Sequence, residues 1–276
     1  MLDPLFKTTD DCGVVLKYLP DESIYVVNGE QFNMKLTYKE DIFLLDKLFQ
    51  LRSIRNQPTL LEKSEMEELQ GKVVVVFGGT YGIGQDICEI CREYKTSLYV
   101  YSRSTGVDVS NSQSVRRVLS EIFDKEGRID WIVNTAGILD KQPLANMSYE
   151  AVHQSIDVNY LGNIIVVKES FFYLKESKGS LLFFTSSSYT RGRALYSLYS
   201  SSKAAIVNFV QALSEEWFEY GIRVNCINPE RTKTPMRIQN FGNEPEDTLL
   251  EPKVVAIVSV NTLLSEMTGE VVDVKR

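Results

Sequence analysis

The chain has 276 residues, of which 43% are hydrophobic and 24% charged, as expected for a globular protein with a sizeable core. Its net charge of −7 argues against a general nucleic-acid or anionic-membrane surface. No apolar run reaches the roughly 20 residues of a membrane span, and the acidic N-terminus differs from a signal peptide. Four cysteines and one histidine provide no metal framework, so we expect no metal and a cytoplasmic location.

The first 70 residues contain few predicted elements. An extended segment at 23–27 leads into a turn at Asn28-Gly29, and an amphipathic helix is predicted at 39–52. About 50 residues with so few elements are marginal as an independent domain. We therefore predict an N-terminal piece at 1–52, a polar linker at 53–70 and one large domain at 71–276.

Strands and helices alternate from residue 71 onwards. Residues 72–77 (KVVVVF) form a β-branched run, typical of a parallel strand buried on both faces. Alternation with helices of 10 to 15 residues implies βαβ crossovers. The pattern predicts an α/β fold, a doubly wound parallel sheet of Rossmann type with a small N-terminal appendage. Strands are predicted at 72–77, 97–102, 130–133, 180–184 and 223–227, with helices at 85–94 and 112–125 and before the last two strands.

A glycine-rich loop joins the first predicted strand to the first predicted helix. Glycine allows a sharp turn, close approach of a pyrophosphate and tight helix–strand packing. The helix N-terminus then offers free N–H groups to phosphates. A plain tight turn would also use glycine, but the place in the βαβ unit favours nucleotide binding. The predicted cofactor loop comprises Gly78, Thr80, Tyr81, Gly82, Ile83 and Gly84.

Arg103 follows the second predicted strand, in Ser-Arg-Ser. Dinucleotide folds that prefer NAD usually have an acid at this point, which holds the ribose hydroxyls. This sequence has none, and Arg103 could pair with a 2′-phosphate instead. The alternative is a solvated arginine. We predict NADPH as the cofactor.

Further motifs occur in order along the chain: Asn134-Thr135-Ala136-Gly137 after a strand, Asn159, Ser186, and Tyr199 with Lys203. Together with the glycine loop they resemble the short-chain dehydrogenase/reductase family, over residues 71–276. The resemblance implies a reductase that acts on a carbonyl group. It assigns to the cofactor, beyond the loop and Arg103, the residues Asp108, Asn134, Ala136, Gly137, Tyr199, Lys203, Pro229 and Thr234.

The catalytic chemistry also follows from the residue types. Reduction of a carbonyl by hydride needs a proton donor, and a phenol of pKa about 10 is a poor one near neutrality. Lys203 lies one helical turn after Tyr199, where its charge should lower the phenol pKa. Ser186 could polarise the carbonyl. The resemblance adds that Lys203 contacts the nicotinamide ribose and Asn159 holds a water in a proton relay. Without the whole set, Tyr199 could simply be packed and Lys203 extended to solvent.

The sequence departs from the family pattern at three places. Phe77 replaces a threonine, Thr135 replaces the second asparagine of Asn-Asn-Ala-Gly, and Glu230 replaces the glycine of Pro-Gly. The last change raises a question about the local backbone. Thr234 still matches the threonine that reaches the cofactor.

Arg231 and Lys233 add two positive charges beside this predicted site. They could belong to a solvated loop, or Arg231 could form an ion pair with Glu230. Alternatively they form a subsite for a substrate phosphate, since arginine can bind phosphate bidentately. We predict them as substrate-binding residues.

The N-terminal piece has a resemblance of its own. Residues 9–11 (TDD), residues 26–37 (VVNGEQFNMKLT) and Asp41 resemble, over residues 5–52, the carboxyl end of methylerythritol-phosphate-type cytidylyltransferases. The glycine-rich CTP-binding start of that family is not in this sequence, so we expect no cytidylyl transfer. Such a tail fused to a reductase is similar to the bifunctional ribulose-5-phosphate reductases/CDP-ribitol pyrophosphorylases of capsule and teichoic-acid pathways.

These resemblances imply NADPH-dependent reduction of D-ribulose 5-phosphate to D-ribitol 5-phosphate. The expected partner is a small phosphorylated sugar, with no nucleic acid and no membrane. A homo-oligomer and a fused or associated cytidylyltransferase domain are expected as well. The alternatives are a short-chain reductase for another sugar or a lipid carbonyl, and a nucleotide-bound scaffold without catalysis.

Overall fold

The computed structural model describes residues 11–25, 27–29, 34–42, 44–45 and 66–276. It consists of two compact units, Met1–Phe49 and Gln50–Arg276. The first unit contains helix α1 (Asp11–Tyr18) and helical backbone at 39–42 and 44–45. The rest of the helix predicted at 39–52, and most of the predicted linker, lie outside the described residues.

The start of this second helical stretch is fixed by a carboxylate. Oδ2 of Asp41 accepts hydrogen bonds from the backbone N–H groups of Thr37 and Tyr38, at 2.8 and 2.7 Å. These bonds lower the pKa of Asp41, as expected when an acid in the first turn reaches back to free backbone donors. The sequence therefore specifies where this helix begins.

The second unit is built on one sheet of six parallel strands. The strands are β1 (Val73–Phe77), β2 (Ser97–Tyr101), β3 (Trp131–Asn134), β4 (Ser180–Phe184), β5 (Arg223–Pro229) and β6 (Val271–Val274). Their order in the sheet is β2-β1-β3-β4-β5-β6, and the doubly wound α/β fold is confirmed. Strand order reverses between β1 and β3, where ligands bind in open sheets of this kind.

Helices cover both faces of the sheet. They are α2 (Gly82–Glu93), α3 (Ser112–Glu126), α4 (Tyr149–Ile156), α5 (Gly162–Ser177), α6 (Ser197–Trp217), α7 (Pro235–Phe241) and α8 (Pro252–Leu264). Val73, Val75 and Phe77 of β1 point into a core shared with α3, α5 and α6, whereas Val74 and Val76 point into a core shared with α2 and α8. This alternation explains why the whole strand is apolar.

Two cysteines with Cys-x-x-Cys spacing lie inside α2. Cys88 and Cys91 are fully buried and free, and burial raises the pKa of the two thiols to about 11 and about 12. They are apolar packing groups. Among the described residues there is no cluster that could hold a metal ion, and no described helix is long and apolar enough to cross a membrane.

Candidate active site

An open cleft lies at the carboxyl ends of the central strands. The parallel sheet brings residues from distant parts of the chain to this one edge. Most of the predicted site residues line the cleft: Gly78, Tyr81, Gly82, Ile83, Gly84, Ala136, Gly137, Ser186, Tyr199, Lys203, Pro229, Arg231 and Thr234.

The glycine loop is closely packed where it crosses the end of β3. A β-carbon on Gly78 would lie 2.6 Å from the backbone nitrogen of Ala136, and one on Gly84 would lie 2.5 Å from the carbonyl oxygen of Gly78. Gly78 also has a φ of 81°, which L side chains rarely adopt. Because α2 begins at Gly82, its free N–H groups face the cleft, and the loop fits a dinucleotide pyrophosphate.

Thr135, one of the departures from the family pattern, packs directly against the glycine loop. Its hydroxyl donates to the carbonyl oxygen of Phe77 at 3.1 Å and would meet β-carbons placed on Gly78 and Gly84 at 2.6 and 2.5 Å. Thr135 therefore ties the end of β1 to β3 directly below the glycine loop.

A second pocket continues from the glycine loop towards β2. It is lined by Thr80, Arg103 and Asp108 together with Gly78 and Ala136. Arg103 begins a short 3-10 turn that is closed by a reciprocal pair of hydrogen bonds between Ser102 and Thr105. The Asp108 carboxylate accepts hydrogen bonds from Ser110, at 2.9 Å from the backbone and 2.7 Å from the hydroxyl. Arg103 is exposed, so its guanidinium is open to a ligand in this pocket.

Asn159 lies in a single turn of π-helix, Asp157–Leu161, between α4 and α5. It is fully buried and pairs with the backbone of Ile138, accepting from N–H at 2.9 Å and donating to C=O at 2.8 Å. The side chain of Asn163 donates to the carbonyl oxygen of Asn159 at 2.8 Å and accepts from Asn134 at 2.9 Å. This chain of amides holds the π-helical turn, a feature frequent at functional sites.

Asn159 and Lys203 both approach Gly137. A β-carbon on Gly137 would lie 3.3 Å from Oδ1 of Asn159 and 3.8 Å from Nζ of Lys203. Asn134, predicted as a cofactor residue, contributes from below, since its Oδ1 accepts from the backbone N–H of Ala136 at 3.1 Å.

Lys203 is held deep in the cleft wall. It is 6% exposed, and its Nζ donates to the carbonyl oxygen of Phe184 at 2.8 Å and lies 5.4 Å from the ring centre of Tyr199. Burial lowers the pKa of Lys203 to about 8. Its charge is therefore present at neutral pH and is lost in mildly alkaline solution.

Tyr199 and Ser186, which the sequence predicts as catalytic residues, line the same cleft. Desolvation by the surrounding protein raises the pKa of Tyr199 to about 12, against lowering contributions from a hydrogen bond with Ser186 and the charge of Arg237. The net direction is opposite to the lowering by Lys203 that the sequence predicts. The physical reason is that burial, which penalises the phenolate, outweighs the nearby positive charges. Ser186 also accepts hydrogen bonds from the backbone and hydroxyl of Ser188, at 3.4 and 3.2 Å.

Glu230, which replaces the family's glycine, has an ordinary strand-like backbone at the end of β5. The backbone N–H of Glu230 donates to the carbonyl oxygen of Val274 at 2.9 Å, so Glu230 extends the hydrogen-bond ladder between β5 and β6. The Glu230 carboxylate accepts from the backbone of Arg276 at 3.3 Å. The carboxylate within ion-pair distance of Arg231 is instead Glu244, at 4.0 Å.

Thr234 and Lys233 have different surroundings. Thr234 caps α7 by accepting from the N–H of Arg237 at 3.2 Å and would lie 3.6 Å from a β-carbon on Gly82, so it faces the glycine loop. Lys233 pairs with Glu246 at 2.5 Å and is not among the residues that line the cleft. The structure does not bring Lys233 into the candidate site, whereas Arg237 does line it.

Comparison with known proteins supports this geometry. The sequence profile described as short chain dehydrogenase matches residues 102–245. The chain belongs to the short chain dehydrogenase family. The predicted oxidoreductase class is thereby confirmed, and the residues around the cleft can be interpreted within this family.

Individual relatives give more detail. The chain is 49% identical over 266 residues to the bifunctional ribulose 5-phosphate reductase/CDP-ribitol pyrophosphorylase of Haemophilus influenzae, and this match covers 96% of the chain and 56% of that protein. The chain thus spans little more than half the length of this relative. It is also 32% identical over 189 residues to the acetoacetyl-CoA reductase of an Acinetobacter species. That match covers 60% of the chain and 76% of the reductase.

Among solved structures, a small-chain dehydrogenase in complex with NADPH matches with a TM-score of 0.65 and 26% identity. The match covers 74% of this chain and 97% of that one. The sheet unit alone therefore accounts for the fold of short chain dehydrogenases.

Sequence reasoning missed some residues of the site. Asn163 could have been found, because it lies four residues after Asn159 on one helical face. Arg237 and Glu244 carry no motif, and their pairing at 2.6 Å depends on how the chain returns after α7. Tyr196 and Phe241 also line the cleft, where their rings extend the wall beside Tyr199.

Proposed function

We propose that this chain catalyses the NADPH-dependent reduction of D-ribulose 5-phosphate to D-ribitol 5-phosphate. The observation that carries the proposal is the 49% identity, over 96% of the chain, to an enzyme named for ribulose 5-phosphate reductase activity. The site adds support, because Ser186, Tyr199 and Lys203 line one cleft. A scaffold without catalysis would have no use for a lysine buried beside a phenol.

NADPH, rather than NADH, is proposed because of the second pocket. Arg103 is exposed there and lies beside Thr80, in the position where a cofactor 2′-phosphate would attract a guanidinium. Asp108 already accepts two hydrogen bonds from Ser110, which fixes its carboxylate. When bound, NADPH supplies the hydride. Phosphates would be held by the glycine loop and the N-terminus of α2.

The chain's own residues would handle the ketone and the proton. Ser186 orients the ketone oxygen by a hydrogen bond, and the Tyr199 hydroxyl donates a proton to that oxygen as negative charge develops. With a pKa of about 12, Tyr199 is protonated across the neutral range, which is the state that reduction requires. Ser186 lies close enough to act on the Tyr199 phenol, so both hydroxyls could address the same ketone oxygen.

Lys203 and Asn159 would support the proton donor. The Lys203 ammonium, at 5.4 Å from the ring centre of Tyr199, stabilises the phenolate that remains after proton transfer. Asn159 faces the same Gly137 as Lys203, which suits a relay that returns a proton to Tyr199. Thr234, opposite the glycine loop, would contact the cofactor from the other side of the cleft.

We further propose the setting of this reaction. A fused or associated cytidylyltransferase is supported by the double name of the Haemophilus influenzae relative, and it would use ribitol 5-phosphate to make CDP-ribitol for capsule or teichoic-acid polymers. The free thiols of Cys88, Cys91 and Cys226 suit a reducing compartment such as the cytoplasm. A homo-oligomer remains our expectation.

The test is NADPH oxidation, followed at 340 nm, with ribulose 5-phosphate and a panel of other ketoses, aldoses and lipid carbonyls, with the product identified by mass spectrometry. We expect ribulose 5-phosphate to give the highest kcat/KM and ribitol 5-phosphate as product. A higher kcat/KM for another sugar or for a lipid carbonyl would replace the proposed substrate. No turnover of any carbonyl, with NADPH still bound, would favour the scaffold. Incubation with CTP and ribitol 5-phosphate should release no pyrophosphate.

A further inference from the structure

Three positive side chains converge on one carboxylate at the rim of the cleft. The Arg237 guanidinium binds Glu244 bidentately, with Nε at 2.6 Å from Oε2 and Nη2 at 2.9 Å from Oε1. Nη1 of Arg231 lies 4.0 Å from Oε1 of the same carboxylate. The charge of Lys141 also acts on Glu244, and together these cations lower its pKa. Glu244 is therefore ionised, and the cluster retains an excess of positive charge.

The cluster is built into the cleft wall. The side chains of Arg237 and Glu244 are only 22% and 19% exposed. Phe241 provides a platform, with the Arg237 guanidinium carbon 4.0 Å and Nζ of Lys141 4.4 Å from its ring centre. Phe241 thus positions both cations, and the Glu244 carboxylate also holds Arg237. A single ion pair would need neither the third cation nor this platform.

The cluster is also close to the reacting end of the cleft. The ring of Tyr196 contacts that of Tyr199 at 6.4 Å and that of Phe241 at 5.8 Å between centres. The charge of Arg237 already acts on the Tyr199 phenol. A small substrate could therefore place its ketone at Tyr199 and an anionic group at the cluster.

We propose that Arg237, Arg231 and Lys141 form the subsite for the substrate phosphate, and that Glu244 is an internal anion that holds these cations in place until the phosphate binds. The proposal rests on the proposed function, because it names the residues that recognise the phosphate of its substrate. Arginine suits this role, since its fork donates to two phosphate oxygens at once. Glu230, which lines the cleft, accepts a hydrogen bond from the backbone N–H of Arg276 instead.

If Glu244 occupies the place of the phosphate, removal of its charge should improve substrate binding. A phosphate dianion must compete with the carboxylate for the same donors, so Glu244→Gln should lower KM for ribulose 5-phosphate a few-fold, without a change for unphosphorylated ribulose. A purely structural ion pair would give the opposite result, because weakening it would raise KM for both substrates. An unchanged or higher KM for ribulose 5-phosphate in Glu244→Gln would overturn the role of Glu244.

The guanidinium is tested with Arg237→Ala. A charge-assisted contact to phosphate is worth about 10- to 150-fold in affinity, so kcat/KM for ribulose 5-phosphate should fall by about that factor while kcat/KM for ribulose and the Kd for NADPH change little. Arg116→Ala is the matched control, because Arg116 binds Glu169 with the same bidentate geometry, at 2.8 and 3.0 Å, between α3 and α5. An equal loss on both substrates would overturn the subsite.

A binding measurement separates this proposal from the proposed function. Inorganic phosphate, titrated calorimetrically into the NADPH-bound protein, should bind the wild type and Arg116→Ala equally, Glu244→Gln more tightly and Arg237→Ala at least tenfold more weakly. If ribulose 5-phosphate is not reduced but this ranking holds, the subsite stands and the proposed substrate fails. If ribulose 5-phosphate is reduced but phosphate binding does not follow this ranking, the proposed substrate stands and the subsite fails. If Arg237→Ala does not fold, the direction of change in Glu244→Gln decides the matter.

Discussion

The inner end of the cleft and its rim are held together by different kinds of interaction. At the inner end, Lys203 and Asn159 are buried and bonded to backbone carbonyl and N–H groups. At the rim, Arg231, Arg237 and Glu244 hold one another through charged side chains on the segment after β5. The inner end is fixed by the sheet, whereas the rim is fixed by electrostatics.

We propose that the two regions have different roles, in which the inner end carries out the chemistry and the rim selects the substrate. Backbone partners cannot be exchanged for a ligand, so the inner end is preorganised for one reaction, which is where electrostatic catalysis is strongest. Side-chain ion pairs can exchange one anion for another, so the rim can recognise a substrate and release it. The same sheet can therefore serve many substrates through changes at the rim alone.

The largest expected effect is at the inner end. Tyr199→Phe removes the proton donor but keeps the ring that packs against Tyr196, so the fold and NADPH binding should survive. Loss of general acid catalysis should lower kcat by roughly 10²- to 10⁴-fold. Steady-state turnover of ribulose 5-phosphate, with the Kd of NADPH measured by fluorescence, checks both parts.

A matched control is Tyr99→Phe. Tyr99, on β2, donates to the Glu126 carboxylate at 2.5 Å and is not among the residues that line the cleft or the second pocket, so its variant loses a hydroxyl without losing a proton donor. We expect its kcat to stay close to that of the wild type. Equal kcat values for Tyr199→Phe and Tyr99→Phe would contradict the assignment of Tyr199 as the acid.

The next largest effect is expected on NADPH binding, from a change of Arg103 in the second pocket. Arg103→Asp places a negative charge where we expect a 2′-phosphate and offers acceptors to ribose hydroxyls instead. Loss of a charge-assisted contact should weaken NADPH binding by about 10- to 150-fold, while NADH binding improves. Titration of both cofactors with both proteins gives the ratio. An unchanged ratio would mean that Arg103 is only solvated.

The two regions also differ in how far the sequence predicts them. The strand at 180–184, the glycine loop and the spacing of Tyr199 and Lys203 are local patterns, and the sheet gathers them at one edge because parallel strands end together. The sequence does not show that burial raises the pKa of Tyr199, since burial depends on the whole surrounding protein. Nor does it pair Arg237 with Glu244, seven residues on, or bring Lys141 to the same carboxylate.

A smaller effect tests the steric part of the inner end. Gly84→Ala would place a β-carbon 2.5 Å from the Gly78 carbonyl oxygen and from the Thr135 hydroxyl, so the backbone must shift. Overpacking of this kind costs about 1–3 kcal/mol, or a melting temperature lower by roughly 2–10 °C. Gly192→Ala is the control, because no atom lies within 4 Å of its β-carbon position. Equal melting temperatures for the two variants would contradict the tight packing of the loop.

The smallest effect is a pH dependence set by Lys203. Its pKa of about 8 lies below the ordinary 10.5, whereas that of Tyr199 is about 12. Below pH 8 the lysine is charged and the phenol protonated, so neither group changes its protonation state. In this range kcat/KM for reduction should therefore not change with pH because of Lys203 or Tyr199. Above pH 8 the lysine loses its proton while the phenol keeps its own, so kcat/KM should fall by up to tenfold per pH unit.

Lys203→Arg distinguishes the lysine from every other group that titrates in this range. A guanidinium stays charged above pH 12, so the variant should be slower at all pH values, because its geometry differs, yet show no fall between pH 8 and 9.5. The measurement is kcat/KM for ribulose 5-phosphate across pH 6–10 at constant ionic strength. A fall at the same pH in both proteins would assign it to another group, and the charge of Lys203 would then not control the inner end of the cleft.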